Sequence, residues 1–284
     1  MKNMLKKKEK SKIFLKSNNI FECPICNSEL SLNENMLNCI NNHTFDIKSN
    51  GSLFLVSTSN YKESKHYNKS FFLARRKFIN NEYYKRVYKF IINYINQNYE
   101  NELLILDLGC GEFTHTNKIC ENLDGDIKVL GVDYSKSAID LATDYLDGNN
   151  VFVVGDITNL PLKNESVDII INFLSPFNEK EVNRILKKDG TFIKIIPTKM
   201  YLRELREIYN MSEYNNETEV LVNIKEKFKV ELEKEIVDSF KIKNKEDLKY
   251  LLTMTPLTWN EINQKNKEIK EITIALKVLI LKKR

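Results

Sequence analysis

From Leu103 onward, short apolar runs alternate with stretches whose apolar positions recur every three or four residues. LLILDLG (Leu103–Gly109) is apolar almost throughout and ends in a glycine-containing turn, and the chain from Phe113 to Leu123 has helical spacing. IKVLGVD (Ile127–Asp133), VFVVGD (Val151–Asp156), VDIIINF (Val167–Phe173) and TFIKIIP (Thr191–Pro197) read as four further strands. Runs of this length that are apolar at odd and even positions alike belong to strands buried on both faces. Between them, SKSAIDLATDYL reads as a helix capped by Ser135, and NEKEVNRILKKDG as a helix stopped by its glycine. Strands alternating with helices predict an α/β domain built on a doubly wound, mostly parallel sheet. The tail departs from this rhythm. A strand near Phe228–Val237, a helix from Lys245 and a last strand ITIALKVLIL predict an antiparallel hairpin closing the sheet.

The first hundred residues follow other patterns. Ser70 to Tyr99 contains neither Pro nor Gly and carries Phe71, Phe78, Tyr84 and Tyr88 at helical spacing, so one or two helices with a mainly buried aromatic stripe are expected. GSLFLV (Gly51–Val56) reads as a strand closing a small module ahead of them. The predicted organisation is a basic N-terminal tail (1–20), a small module (21–57), a linker with helices (58–100) and the α/β domain (101–284). A length of 284 residues accommodates one full-size domain and a module.

The opening residues, MKNMLKKKEKSKIFLKSNNI, lack the apolar core and small-residue cleavage site of a secretory signal, and no apolar run reaches the length of a membrane span. The expectation is a cytoplasmic protein with reduced cysteines and no membrane partner. The net charge of +5 is unevenly spread. Residues 1–20 hold seven Lys and one Glu, and residues 62–89 hold nine Lys or Arg and two Glu. The remaining chain is net negative. Positive charge concentrated in this way is the electrostatic footprint of a polyanion such as RNA, although a solvated tail and helix face would have the same composition.

Three of the five cysteines and one of the three histidines fall between Phe21 and Phe45, spaced Cys23-x2-Cys26-x12-Cys39-x3-His43. Two short arms of this kind converge four side chains on one tetrahedral ion, which predicts a structural Zn2+ site. Clustered free thiols are the competing reading. A disulfide is disfavoured because nothing in the sequence indicates secretion.

The turn after the first α/β strand reads Asp107-Leu-Gly109-Cys-Gly111-Glu112. Its glycines let backbone approach a ligand, but its charge is negative and it has no Lys, so it suits a cationic ligand better than a pyrophosphate. S-adenosyl-L-methionine, with an ammonium and a sulfonium, has the matching sign. Asp133 ends the second strand at the position from which a carboxylate accepts from ribose hydroxyls. Asp156 ends the third, within reach of an adenine amino group. Any one of these is an ordinary strand-end cap; three in register on successive strand ends point together to a methyltransferase. Cys110 and Cys120 read as packing residues, and His66 and His115 receive no role.

Several stretches in order, CPIC with CINNHTFD, SFFLARRKFINNEYY, LDLGCGEF, INFLSPFNEKEVNRILKKDG, IIPTKMYLREL and LLTMTPLTW, resemble the 23S rRNA (guanine-N1)-methyltransferase family of the large-subunit methyltransferase A type. The resemblance covers nearly everything after residue 20. It implies a zinc-bearing N-terminal module, a class I (Rossmann-like) S-adenosylmethionine-dependent methyltransferase domain, a homodimer, and a guanine in a 23S rRNA hairpin as substrate. It implies cofactor contacts at Tyr84, at Gly111 with Glu112, and at Tyr201 with Leu202. Two departures stand out. Glu82 and Tyr83 precede Tyr84 where the family often has a Gly, and Tyr201-Leu202 stands where His-Leu is common.

Guanine N1 carries a proton at neutral pH, so transfer there requires a base or stabilisation of charge on O6. Asn172 at the end of the fourth strand, with Ser175 and Pro176, is the candidate contact to the target base, although an amide cannot take the proton. Phe173, Phe177 and Trp259 are candidate stacking partners for an exposed base. The zinc module with the basic linker is expected to form the RNA-reading surface. Two rivals remain: a methyltransferase of a small metabolite, and an RNA-binding protein that keeps the fold without catalysis.

Overall fold

A computed structural model describes residues 5–56, 61–209, 217–256 and 269–284. Its centre is an eight-stranded sheet. The strands are β4 (Leu53–Leu55), β5 (Leu103–Leu108), β6 (Ile127–Asp133), β7 (Asn150–Gly155), β8 (Val167–Phe173), β9 (Leu186–Pro197), β10 (Phe228–Lys241) and β11 (Glu271–Lys283). They lie in the order β10-β11-β9-β8-β5-β6-β7-β4. Every pair from β9 to β4 is parallel, and β11 runs antiparallel to both β9 and β10. All residues of β5 and β7 are buried, as their unbroken apolar runs require. Alternate residues feed two cores: Ile105, Ile169 and Ile171 face one, and Leu104, Leu106 and Ile170 face the other.

The first core is covered by α2 (Lys69–Ile79), α3 (Lys85–Asn98), α4 (Thr114–Cys120), α5 (Lys136–Ala142), α7 (Arg203–Ile208) and α9 (Lys245–Met254), while α8 (Glu217–Lys227) sets Ile224 into the second. Asn68 caps α2, Ser135 caps α5 and Asn244 caps α9, each accepting from a backbone N–H in the first turn. The α3 stripe Val87, Tyr88, Ile91 and Ile95 is buried along one side. The second core is covered by α1 (Lys7–Ser17), α6 (Glu179–Ile185) and the N-terminal module. A small sheet, β1 (Ser31–Asn33), β2 (Met36–Asn38) and β3 (Thr44–Asp46), forms that module.

Three sequence expectations change. The segment expected as a basic tail contains α1, whose Phe14 and Leu15 are buried. Its lysines obscured two adjacent apolar residues that reach the second core. The strand expected to close the module instead pairs parallel with β7 and becomes the edge of the large sheet. The helix expected to run to Gly190 ends at Ile185, and Gly190 lies inside β9. The Lys-Lys-Asp-Gly stretch therefore starts a strand that continues through the predicted one.

The module is fastened to the larger domain rather than tethered to it. Phe21 bridges Leu162 in antiparallel fashion, Glu22 N–H donates to the Pro161 carbonyl, and Lys163 N–H donates to the Ile20 carbonyl. Among the described residues no helix is long and apolar enough to cross a membrane.

Candidate cofactor and metal sites

The metal site is built on two tight turns. Asn27 N–H donates back to the Cys23 carbonyl and Asn42 N–H to the Cys39 carbonyl. Asn27 and Asn42 sit in the left-handed region at φ 58° and 63°, which Asn tolerates better than most residues. The turns bring the ligand atoms of Cys23, Cys26, Cys39 and His43 within 4.8 Å of one another. Cys26 Sγ lies 3.7 Å from Cys39 Sγ, and His43 Nδ1 lies 3.5 Å from Cys23 Sγ and 3.4 Å from Cys39 Sγ. Tetrahedral zinc, with bonds of about 2.3 Å to sulfur and about 2.0 Å to nitrogen, needs edges of about 3.8 and 3.5 Å. Three of the six edges thus match a tetrahedral zinc site, and three thiols with one imidazole are a donor set that zinc takes. The Ser28 hydroxyl, 2.9 Å from Cys26 Sγ, holds that thiol down at about 5, in the direction a metal thiolate requires.

The candidate cofactor site lies at the carboxyl ends of β5, β6 and β7, which are neighbours in the sheet. Asp107 is buried in β5, and burial pushes its carboxyl up to about 7. Gly109 and Gly111 have φ of +76° and +54°. A Cβ on Gly109 would lie 2.0 Å from Ser175 Oγ and 2.7 Å from Ser175 Cβ, so that position needs glycine for space as well as conformation, while one on Gly111 would lie 2.5 Å from Arg75 Nη1 and displace the guanidinium. Asp133 braces the turn. One of its oxygens accepts from Gly111 N–H and the other from Ser135 N–H, both at 2.8 Å. Each oxygen retains a lone pair, which suits ribose hydroxyls. Asp156 follows β7, is half-buried, and accepts from Thr158 N–H and Oγ1. That arrangement is also the ordinary turn cap of an aspartate.

Tyr84, at the start of α3, and Tyr201, after β9, meet across 117 residues with hydroxyls 3.0 Å apart. The Tyr84 ring packs edge-on to His115, which stacks on Phe173 at 3.9 Å and shares a 2.6 Å hydrogen bond with Tyr88. Leu202 is buried with φ 52° and donates its N–H to Thr273, which pins this turn to β11. His115, given no role from sequence, thus joins the aromatic wall beside Tyr84. Its burial keeps it neutral by driving its pKa well below the usual histidine value.

Asn172 is fully buried at the end of β8. Its amide N–H groups donate to the Leu108 and Pro176 carbonyls, and its oxygen accepts from Lys194 Nζ. One donor thus ties the end of β8 to β5 and the other holds the 174–177 turn, whose Ser175 lies over Gly109. Phe173 is engaged by His115 and Phe177 is half-buried against Phe192; Trp259 lies outside the described residues.

Two residues that sequence reasoning passed over are central here. Lys194 is buried on β9, donates to Asn172 and to the Ser175 carbonyl, and is pushed down to about 7 by burial. Arg75 forms an ion pair with Glu112 at 2.5 Å. A signal for Arg75 was present: it shares the α2 face of Phe71 and Phe78 at i+4 and i−3, where a charge needs a buried partner.

Residues 21–65 match the zinc-ribbon family described as RlmA, N-terminal, and residues 105–190 match the family described as a methyltransferase domain. A Bacillus subtilis protein, YxjB, is 29% identical over 280 residues, covering 92% of this chain and 96% of its own. Its assignment as a 23S rRNA (guanine-N1)-methyltransferase is provisional. The chain thus joins an RlmA-type zinc ribbon to a methyltransferase domain. A Streptomyces fradiae relative, a 23S rRNA (guanine(748)-N1)-methyltransferase, is 24% identical over 185 residues, 64% of this chain and 65% of that one. The solved YcgJ protein of Bacillus subtilis is 16% identical and covers 70% of this chain and 99% of that one at a TM-score of 0.45. With this domain the chain is a methyltransferase whose residues fit S-adenosylmethionine as cofactor and zinc as structural metal.

Proposed function

We propose that the protein methylates N1 of a guanine in a hairpin loop of 23S rRNA. The observation that carries this reading is the joining of an RlmA-type zinc ribbon to a carboxylate-lined glycine turn in one chain that aligns with YxjB almost end to end. A small-metabolite enzyme needs neither a zinc ribbon nor the exposed lysines Lys62, Lys65, Lys69, Lys77 and Lys89 between ribbon and catalytic domain. A mere RNA binder needs no braced glycine turn.

S-adenosylmethionine, when bound, supplies the methyl group on a sulfonium. The residues of this chain do the rest. Asp133 holds the ribose and Asp156 the adenine, while Gly109 and Gly111 allow close approach and Glu112 meets the amino-acid end. Tyr84, Tyr201 and Leu202 wall the pocket, with Asp107 buried beneath it. Positioning accounts for much of the rate in such a displacement. Asn172, assisted by Lys194, fixes the turn that borders the target base. The ribbon and linker steer the hairpin, and a second copy of the chain completes a homodimer. The working place is the cytoplasm, where reduced cysteines keep zinc.

The test uses the zinc-loaded protein, labelled S-adenosylmethionine and unmodified 23S rRNA, followed by primer extension. N1-methylguanine cannot pair, so label in RNA and one strong reverse-transcriptase stop in a hairpin are expected. Cofactor binding with no label in naked rRNA or in ribosomal assembly particles would overturn the RNA substrate.

A further inference from the structure

The linker motif Ala74-Arg75-Arg76 contains two arginines with different fates. Arg76 lies outward, paired with Asp144 at 3.0 Å and donating to the Leu141 carbonyl at 2.8 Å. Arg75 leaves the apolar face of α2 and reaches the glycine turn. Its Nη1 is 2.5 Å from Glu112 Oε2, and it stands where the Cβ of any residue other than glycine at position 111 would project. The Arg75 side chain is 16% exposed and that of Glu112 is 0% exposed. Among the described residues Glu112 Oε1 has no hydrogen-bond partner. A carboxylate oxygen left unpaired in the interior is costly, and such atoms are rare in folded proteins. A guanidinium has five N–H donors in a planar fork, and the structure engages one nitrogen of this one with Glu112.

A buried cation beside a buried carboxylate with one unused oxygen is complementary to an α-amino acid zwitterion. We propose that Arg75 and Glu112 together form the receptor for the amino-acid end of S-adenosylmethionine. The Arg75 fork takes the carboxylate, and Glu112 Oε1 accepts from the ammonium. The proposal rests on the methyltransferase reading of the glycine turn and adds a residue from outside the catalytic domain. Arg75 belongs to the helix that joins the zinc ribbon to that domain, so cofactor binding and the linker share one ion pair. The same geometry explains the acidic turn. Glu112 would repel the cofactor's carboxylate if it stood alone, and Arg75 separates the two anions.

The experiment is calorimetry of the zinc-loaded full chain with two ligands. S-adenosylhomocysteine carries the zwitterion; 5′-methylthioadenosine keeps the nucleoside and thioether and lacks the amino acid. Arg75→Met is expected to weaken S-adenosylhomocysteine by about thirtyfold or more, the usual consequence of removing one partner of a buried charge pair. Its affinity for 5′-methylthioadenosine is expected to equal that of the wild type. Arg75→Lys should restore only part of the loss, because a point charge lacks the fork. Arg75→Met combined with Glu112→Gln, which leaves no unpaired buried charge, should show the same ligand selectivity and so separates recognition from folding. An equal fall for both ligands would make Arg75 a structural residue and overturn the proposal. An unchanged affinity for S-adenosylhomocysteine would also overturn it. A wild-type protein that bound neither ligand would instead remove the methyltransferase reading on which the proposal rests.

Discussion

Lys194 is the residue whose environment departs furthest from what its type suggests. A lysine in the middle of β9 looks from sequence like a solvent-facing position, yet its amine is buried and donates to two oxygens. A neutral amine has two N–H groups, so these two bonds satisfy it without a charge. Burial lowers the folded pKa to about 7, against 10.5 for an exposed lysine. Between those values the unfolded chain binds a proton that the folded chain does not, so stability rises with pH across that window and is lost as pH falls through 7. Lys194→Met removes this dependence. The difference in melting temperature between wild type and variant is expected to move in favour of wild type from pH 7 to pH 10, as thermal unfolding at a series of pH values will show. A difference that stays flat would mean that Lys194 is charged in the folded protein. Asn172 teaches a related point. Its place at the end of β8 was readable, but the commitment of its amide to Leu108 and Pro176 was not, because those partners come from another strand and from the following turn. At residue scale the clustering of Cys23, Cys26, Cys39 and His43 was legible because their chemistry is local, within twenty-one residues of chain. The partners of Arg75 and Lys194 were not legible, because they lie elsewhere in the sequence.

Elements were legible in proportion to how strongly their two faces differ. Strands β5, β6 and β8 begin and end within a residue of their apolar runs, since burial on both faces keeps their central positions apolar and leaves polar residues near the ends. The terminal hairpin also follows the sequence, with β11 antiparallel to both neighbours. Helix α1 did not announce itself. Among its charged residues only Phe14 and Leu15 join the core, which they share with residues of the module and of β7 such as Leu37 and Val153. This helix is an integral part of the second core. Phe14→Ala is therefore expected to cost about 3 to 5 kcal/mol, the range for a large aromatic removed from a packed interior. Chemical denaturation with an unchanged slope will report it. A loss below about 1 kcal/mol, the scale of an ordinary surface substitution, would restore the view of residues 1–20 as a tail. Strand β4 carries the same lesson. Its three residues fit a module strand as well as a sheet edge, and only the register Leu53 to Val153 decides between them.

At the scale of the whole molecule, the zinc ribbon and the catalytic domain share a core. Cys23 and Cys39 are buried in the same apolar cluster as Leu53, Val153 and Leu162. An ion held by these sulfurs would therefore contribute to the stability of the second face of the sheet as well as to the ribbon, because binding energy at a structural site that forms only on folding is folding energy. The residues proposed to hold the cofactor, Asp107 and Asp133, stand on the central strands β5 and β6, and Arg75 and Tyr84 come from the helices on the first face. The ribbon lies against the second. Removing zinc with a strong chelator should thus lower the melting temperature and weaken binding of the rRNA hairpin by roughly tenfold or more, an energy of about 1.4 kcal/mol for each factor of ten. Affinity for S-adenosylhomocysteine should change far less, since no ligand of the metal touches the glycine turn. Readdition of zinc should restore both melting temperature and RNA binding, which separates metal loss from damage by the chelator. Calorimetry for the cofactor and a filter-binding titration for RNA, made on one preparation, give the comparison. Apoprotein that methylated rRNA with unchanged KM would remove the ribbon's part in reading RNA. Cofactor binding lost in step with RNA binding would instead show that the shared core carries the metal's influence through β7 to the carboxylates at the sheet's end.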